Sequence, residues 1–106
     1  MRPPAPIACT LSPDDRRARR DDLIPGLAAR AESIEHTPGG VRLRMPPSPD
    51  ALVAITRVVD AERHCCRFLS FTITIEPDFG PITLTITAPP EAQELLAAFV
   101  TRSDVD

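Results

Sequence analysis

Between Leu69 and Thr87 the chain alternates. Leu69, Phe71, Ile73 and Ile75 fall on one side of an extended backbone and Ser70, Thr72 and Thr74 on the other; Ile82, Leu84 and Ile86 alternate in the same way with Thr83, Thr85 and Thr87. A period of two means strand, so this stretch predicts a hairpin with one face for a core. Its Thr-rich face is left either to solvent or to an oligomer contact.

Helices are announced by a second local signal. Ser12-Pro13-Asp14 and Ser48-Pro49-Asp50 each offer an N-cap hydroxyl, a proline preset for the first turn and a carboxylate facing the positive end of the helix dipole. The first start predicts a helix to about Leu23. Pro25-Gly26 would kink or stop it, and Leu27-Ala28-Ala29-Arg30-Ala31 has the propensity to resume it, which leaves one kinked helix or two pieces. The second start predicts a helix to about Arg67. Pro38-Gly39-Gly40 between Ser33-Ile34-Glu35-His36 and Val41-Arg42-Leu43-Arg44-Met45 reads as another hairpin, Ile7-Ala8-Cys9-Thr10-Leu11 as an edge strand, and Pro89-Pro90-Glu91 as the start of a last amphipathic helix through Val100.

The resulting order, β-α-ββ-α-ββ-α, predicts an α+β fold: an antiparallel sheet with helices packed on one face. Length agrees with a single domain over residues 7–100, between a proline-rich lead-in at 1–6 and a polar tail at 101–106 that is expected to fray. A net charge of -3 supplies no field for a polyanion, so no nucleic-acid partner is expected. No apolar run approaches the roughly 20 residues of a membrane span, and Met1-Arg2-Pro3-Pro4-Ala5-Pro6 lacks the apolar core of a secretion signal. The expectation is a cytoplasmic protein without a membrane partner.

Three cysteines, two of them adjacent, do not make a disulfide framework, and in a reducing compartment they are thiols. On the second long helix Leu52, Ile55, Val59, Glu62, Cys66 and Leu69 recur at spacings of three and four and so share one stripe. Glu62 sits in that apolar stripe one turn before Cys65 and Cys66. A carboxylate there costs free energy unless it is paired, protonated or bound to a cation. One solution is an ion pair with Arg42 or Arg44 from the neighbouring hairpin.

The other solution is a metal. Two adjacent cysteines in a helix point their sulfurs apart, which disfavours a mutual disulfide but presents two soft ligands at one helix end. Thiolates prefer soft or borderline ions such as zinc, copper(I), mercury(II) or arsenic(III), and the site needs further ligands. Cys9 is the candidate third sulfur, with Glu62 and His64 as auxiliary ligands. Packing alone is the plainer reading, since free cysteine behaves as a small hydrophobe, and Cys66 lies on the core stripe. A Cys-His catalytic pair within the dipeptide is disfavoured because helical neighbours point about 100° apart. His36 reads as a surface residue, and Asp14 to Asp22, with four acids and four arginines, as a solvated, salt-bridged face.

Asp60-Ala61-Glu62-Arg63-His64-Cys65-Cys66-Arg67-Phe68-Leu69-Ser70-Phe71 resembles a group of short bacterial proteins of unknown function that carry a Glu-x-x-Cys-Cys-x-Phe-(Leu/Phe)-x-Phe motif. A similar segment is appended to some MerR-type metal-responsive regulators. More loosely, the resemblance takes in Ile7 to Leu11, Gly80-Pro81-Ile82 and the Pro89-Pro90 helix. It implies association with thiol-binding metals or metalloids. Arg67 stands where those proteins often have Pro or Ala, and it adds positive charge beside the thiols.

Three functions follow as expectations. The first is a soft-metal or metalloid-binding protein using the vicinal pair. The second is a thiol-dependent enzyme with Cys65 or Cys66 as nucleophile. The third is a structural homodimer, joined through the Thr-rich sheet face, whose cysteines are packing.

Overall fold

Both Ser-Pro-Asp starts cap helices in the computed structural model of the protein, which describes residues 12–19 and 22–100. Ser12 Oγ accepts the Asp15 N–H at 3.1 Å ahead of α1 (Pro13–Ala18), and Ser48 Oγ accepts the Ala51 N–H at 3.1 Å ahead of α3 (Pro49–Cys65). Between them the kink-or-break question resolves as two helices. α1 ends at Ala18, short of the expected Leu23, and Pro25 lies in the first turn of α2 (Ile24–Arg30), where its missing N–H costs nothing. The proline that would break one helix starts the next.

β1 (Ser33–Thr37) and β2 (Gly40–Met45) form the first hairpin, and β3 (Ser70–Ile75) and β4 (Ile82–Thr87) the second. The chain closes with a 3-10 turn, Pro90–Ala92, leading into α4 (Gln93–Val100). All strand pairs are antiparallel in the order β1-β2-β4-β3, so the hairpins join through their second strands, with Val41 opposite Ile86 and Leu43 opposite Leu84. This is the expected α+β fold. Ile7 to Leu11, the expected first strand, lies outside the described residues, as do the tail at 101–106 and Cys9.

Register places Val41, Leu43, Met45, Ile82, Leu84 and Ile86 on one face, all buried, under Ile24, Leu27, Ile55, Val58 and Leu96 from the helices. α4 lies on β2 and α3 on β4, while α2 bridges α3 and α4. Each such aliphatic side chain contributes about 1.5–3 kcal/mol on leaving water.

Two expectations need correcting. On α3 the buried stripe is Ala51, Ile55, Val58, Glu62 and Cys65, while Leu52 and Val59 are only half-buried, so the helix is turned by about one residue relative to the reading above. The apolar side of the second hairpin is also not core throughout: β4 buries its isoleucines and leucine, but Ile73 and Ile75 of β3 are 37% and 61% exposed.

Candidate metal centre

Glu62 and Cys65 are brought together by helical spacing, and Cys66 by the way the helix ends. Cys66 is the C-cap of α3, with φ -118° and ψ 78°, outside helical geometry, and its N–H is held by the Glu62 carbonyl. Leaving the helix at this residue swings its side chain back. The two sulfurs therefore converge to 3.8 Å where continued helix would have spread them. Glu62, Cys65 and Cys66 are all buried, and one ligand atom from each lies within 4.8 Å of the others. Cys65 is a free thiol and Cys66 is disulfide-bonded.

Glu62 is indeed paired, but by a residue that the local sequence assigns to solvent. Arg16 of α1 reaches into the cluster: its Nη1 donates to Glu62 Oε1 at 3.1 Å, to Cys65 Sγ at 3.2 Å and to Cys66 Sγ at 3.4 Å, and its Nη2 donates to Glu62 Oε2 at 3.1 Å. Such a two-pronged pair is among the stronger charge-assisted contacts. Glu62 Oε2 also accepts the Ile24 N–H at the start of α2, at 2.9 Å. Behind the guanidinium, the ring of Phe99 from α4 stands 4.2 Å from its central carbon, a cation–π distance. One cation thus ties α1 to α3 and α4, and one carboxylate ties α3 to α2.

Electrostatics accounts for the charge of this arginine. Burial disfavours the guanidinium's charged form, but the hydrogen bond and charge of Glu62, helped by Cys65, outweigh it and leave the pKa above its ordinary value. The resulting stability is complete below that ordinary value and is lost only as pH rises beyond it, so it stays constant across neutral pH.

The arginines expected to pair with Glu62 are engaged elsewhere. Arg42 holds Glu35 at 2.7 Å and Arg44 holds Glu32 at 3.8 Å, both at the exposed β1-β2 hairpin. His64 is not part of the cluster: it is exposed, and its Nδ1 lies 2.7 Å from the Asp60 carbonyl. Cys65 is buried along with Cys66, at 4% exposed against 0%. The residue that sequence reasoning missed is Arg16, and no local signal marks it. In the Asp14 to Asp22 run only its three-dimensional position separates it from Arg17, which is exposed and pairs with Asp14.

Chemically, the arrangement is two sulfurs and a carboxylate gathered on a single positive charge. Beside it lies a cavity of about 460 Å³ lined by Arg19, Asp22, Arg57, Asp60, Ala61, His64 and Cys65, the last of which belongs to the cluster. No described helix is long and apolar enough to cross a membrane. Compared with known protein families, curated proteins and solved structures, the chain matches none of them.

Proposed function

We propose that the reduced protein binds one soft or borderline metal or metalloid ion through Glu62, Cys65 and Cys66. The observation that carries this reading is the convergence of three ligand atoms within 4.8 Å in a buried place already built to hold a cation. A tetrahedral ion with bonds of about 2.3 Å to sulfur spans two sulfurs about 3.8 Å apart, whereas linear coordination needs about 4.6 Å. With Cys66 in its disulfide the Cys65 and Cys66 sulfurs stand 3.8 Å apart, close to the tetrahedral span, and the ion that the reduced pair selects is read from the titration below. The resemblance of the Glu-x-x-Cys-Cys segment to proteins associated with thiol-binding metals or metalloids supports an ion of this general class. Cys9 is the natural supplier of a further sulfur in this reading, and His64 is dropped from it.

Binding belongs to the reduced state, because a sulfur held in a disulfide is not a thiolate ligand. The test is a titration of reduced protein with zinc, copper(I), mercury(II) and arsenite, followed by native mass spectrometry and by thiolate charge-transfer absorption. The chain has no Trp or Tyr, so that ultraviolet window is clear. One ion per chain is expected, lost in the Cys65→Ser, Cys66→Ser double variant and in the oxidised protein. Binding no stronger than to denatured chain refutes the proposal.

A second reading has its own support. Arg16 Nη1 donates to Cys65 Sγ at 3.2 Å, and Cys65 helps to line the adjoining cavity, which has room for a small electrophile. A thiol-dependent enzyme with Cys65 as nucleophile would show rapid alkylation of Cys65 near neutral pH. Sluggish alkylation removes this reading.

A further inference from the structure

We infer that the protein forms a two-fold homodimer by pairing β3 with β3 of a second copy, making one eight-stranded antiparallel sheet. The two edges of the described sheet are unlike. β1 carries Glu35, tied to Arg42, and His36, the kind of charge that discourages edge-to-edge pairing. β3 is Ser-Phe-Thr-Ile-Thr-Ile, with no charge and no proline, and it carries the apolar side chains that the helices leave uncovered: half-buried Phe71, Ile73 at 37% and Ile75 at 61% exposed.

The strand is complementary to itself. Antiparallel pairing centred on Ile73 sets Ile73 against Ile73, Phe71 against Ile75 and Thr72 against Thr74 of the other copy. Opposite residues in such a pair share a face, so every apolar residue meets an apolar one and the strip joins the two cores. Charge selects the same orientation. Arg67 precedes the strand, while Glu76 and Asp78 follow it. Antiparallel pairing brings the basic end of each copy beside the acidic end of the other, whereas parallel pairing would set like beside like.

The β3-β4 turn adds a further sign. Phe79 is 95% exposed and adopts φ 57°, a conformation that a bulky residue reaches only at a cost. It stands at the end of the strip that pairing brings beside the second copy's Arg67. This interface does not use the Thr-rich face, and it does not depend on the metal reading.

Sedimentation of the full chain, with its disulfide intact, from micromolar to millimolar concentration tests it. The mass is expected to rise from one chain to two. Ile73→Lys is expected to weaken association by more than about tenfold, and mixing it with Ile73→Glu to restore a heterodimer, since the two side chains oppose each other across the axis. Should Ile73→Lys lose its folded circular dichroism, Ile75→Lys at the more exposed position carries the same comparison. A wild-type chain that stays monomeric throughout overturns the inference. So does a dimer indifferent to both lysines, or one broken instead by charge on the Thr-rich face at Thr85.

Discussion

Arg16 stands where an incoming metal cation would have to stand. Its Nη1 touches an oxygen of Glu62 and both sulfurs, so a metal using those atoms must expel the guanidinium before it can bond. Arg16→Gln removes that competitor while keeping a neutral donor. In the reduced protein it is expected to tighten zinc or copper(I) binding by about tenfold, equivalent to about 1.4 kcal/mol. Competition against a chelator of known affinity measures the change, and weaker binding would mean that Arg16 supports the metal instead of blocking it. The residue scale is also where the sequence was least legible. The spacing of Glu62, Cys65 and Cys66 is local, so helical periodicity brings the first two together. The Arg16 contact spans 46 residues from Glu62, and nothing within one turn of Arg16 distinguishes it from its solvated neighbours. Convergence of the two sulfurs was hidden as well, because it depends on Cys66 ending the helix.

Most elements could be read because their signals are contained within a few residues. The helix starting at Ser48 and the four strands lie close to where capping and alternation put them, and of the two alternatives that Pro25-Gly26 left open the structure shows two helices, with Pro25 in the first turn of the second. The Ser48 cap also supports the site, since α3 carries Glu62 and both cysteines at its far end. Ser48→Ala leaves the Ala51 N–H without its side-chain acceptor and should cost about 1 kcal/mol in chemical denaturation, with the metal stoichiometry unchanged. Gly40 has a different task. At the start of β2 a Cβ would run into the Ile86 carbonyl and the Thr87 backbone of β4, the central contact of the sheet. Gly40→Ala is therefore expected to lose about 1–3 kcal/mol by forcing β2 and β4 apart, read as a lower unfolding midpoint. The half-exposed face of β3 was not legible, because alternation reports which side chains share a face and not how far the helix layer extends over it.

At the scale of the whole molecule, the Arg16–Glu62 pair links four helices across the core, and the question is whether the fold or the site requires it. The Glu62 side chain is fully buried and that of Arg16 is 14% exposed, so both charges have given up most of their hydration. Removing one partner strands the other: Glu62→Met alone should destabilise by about 3–5 kcal/mol. Removing both is a different matter. Arg16→Met with Glu62→Met replaces a desolvated pair by apolar groups of similar length beside Phe99, and the largest remaining loss is the Ile24 N–H, about 1–3 kcal/mol for an unmet buried donor. Because apolar replacements of buried pairs are often neutral or stabilising, the double variant is expected to recover most of the stability lost by Glu62→Met. Urea midpoints of the wild type, both single variants and the double variant close the thermodynamic cycle. If the double variant is as stable as the wild type yet binds no metal, the fold does not need the buried carboxylate and the site does. A double variant no more stable than Glu62→Met would instead assign the pair to architecture, with Cys65 and Cys66 packed around it.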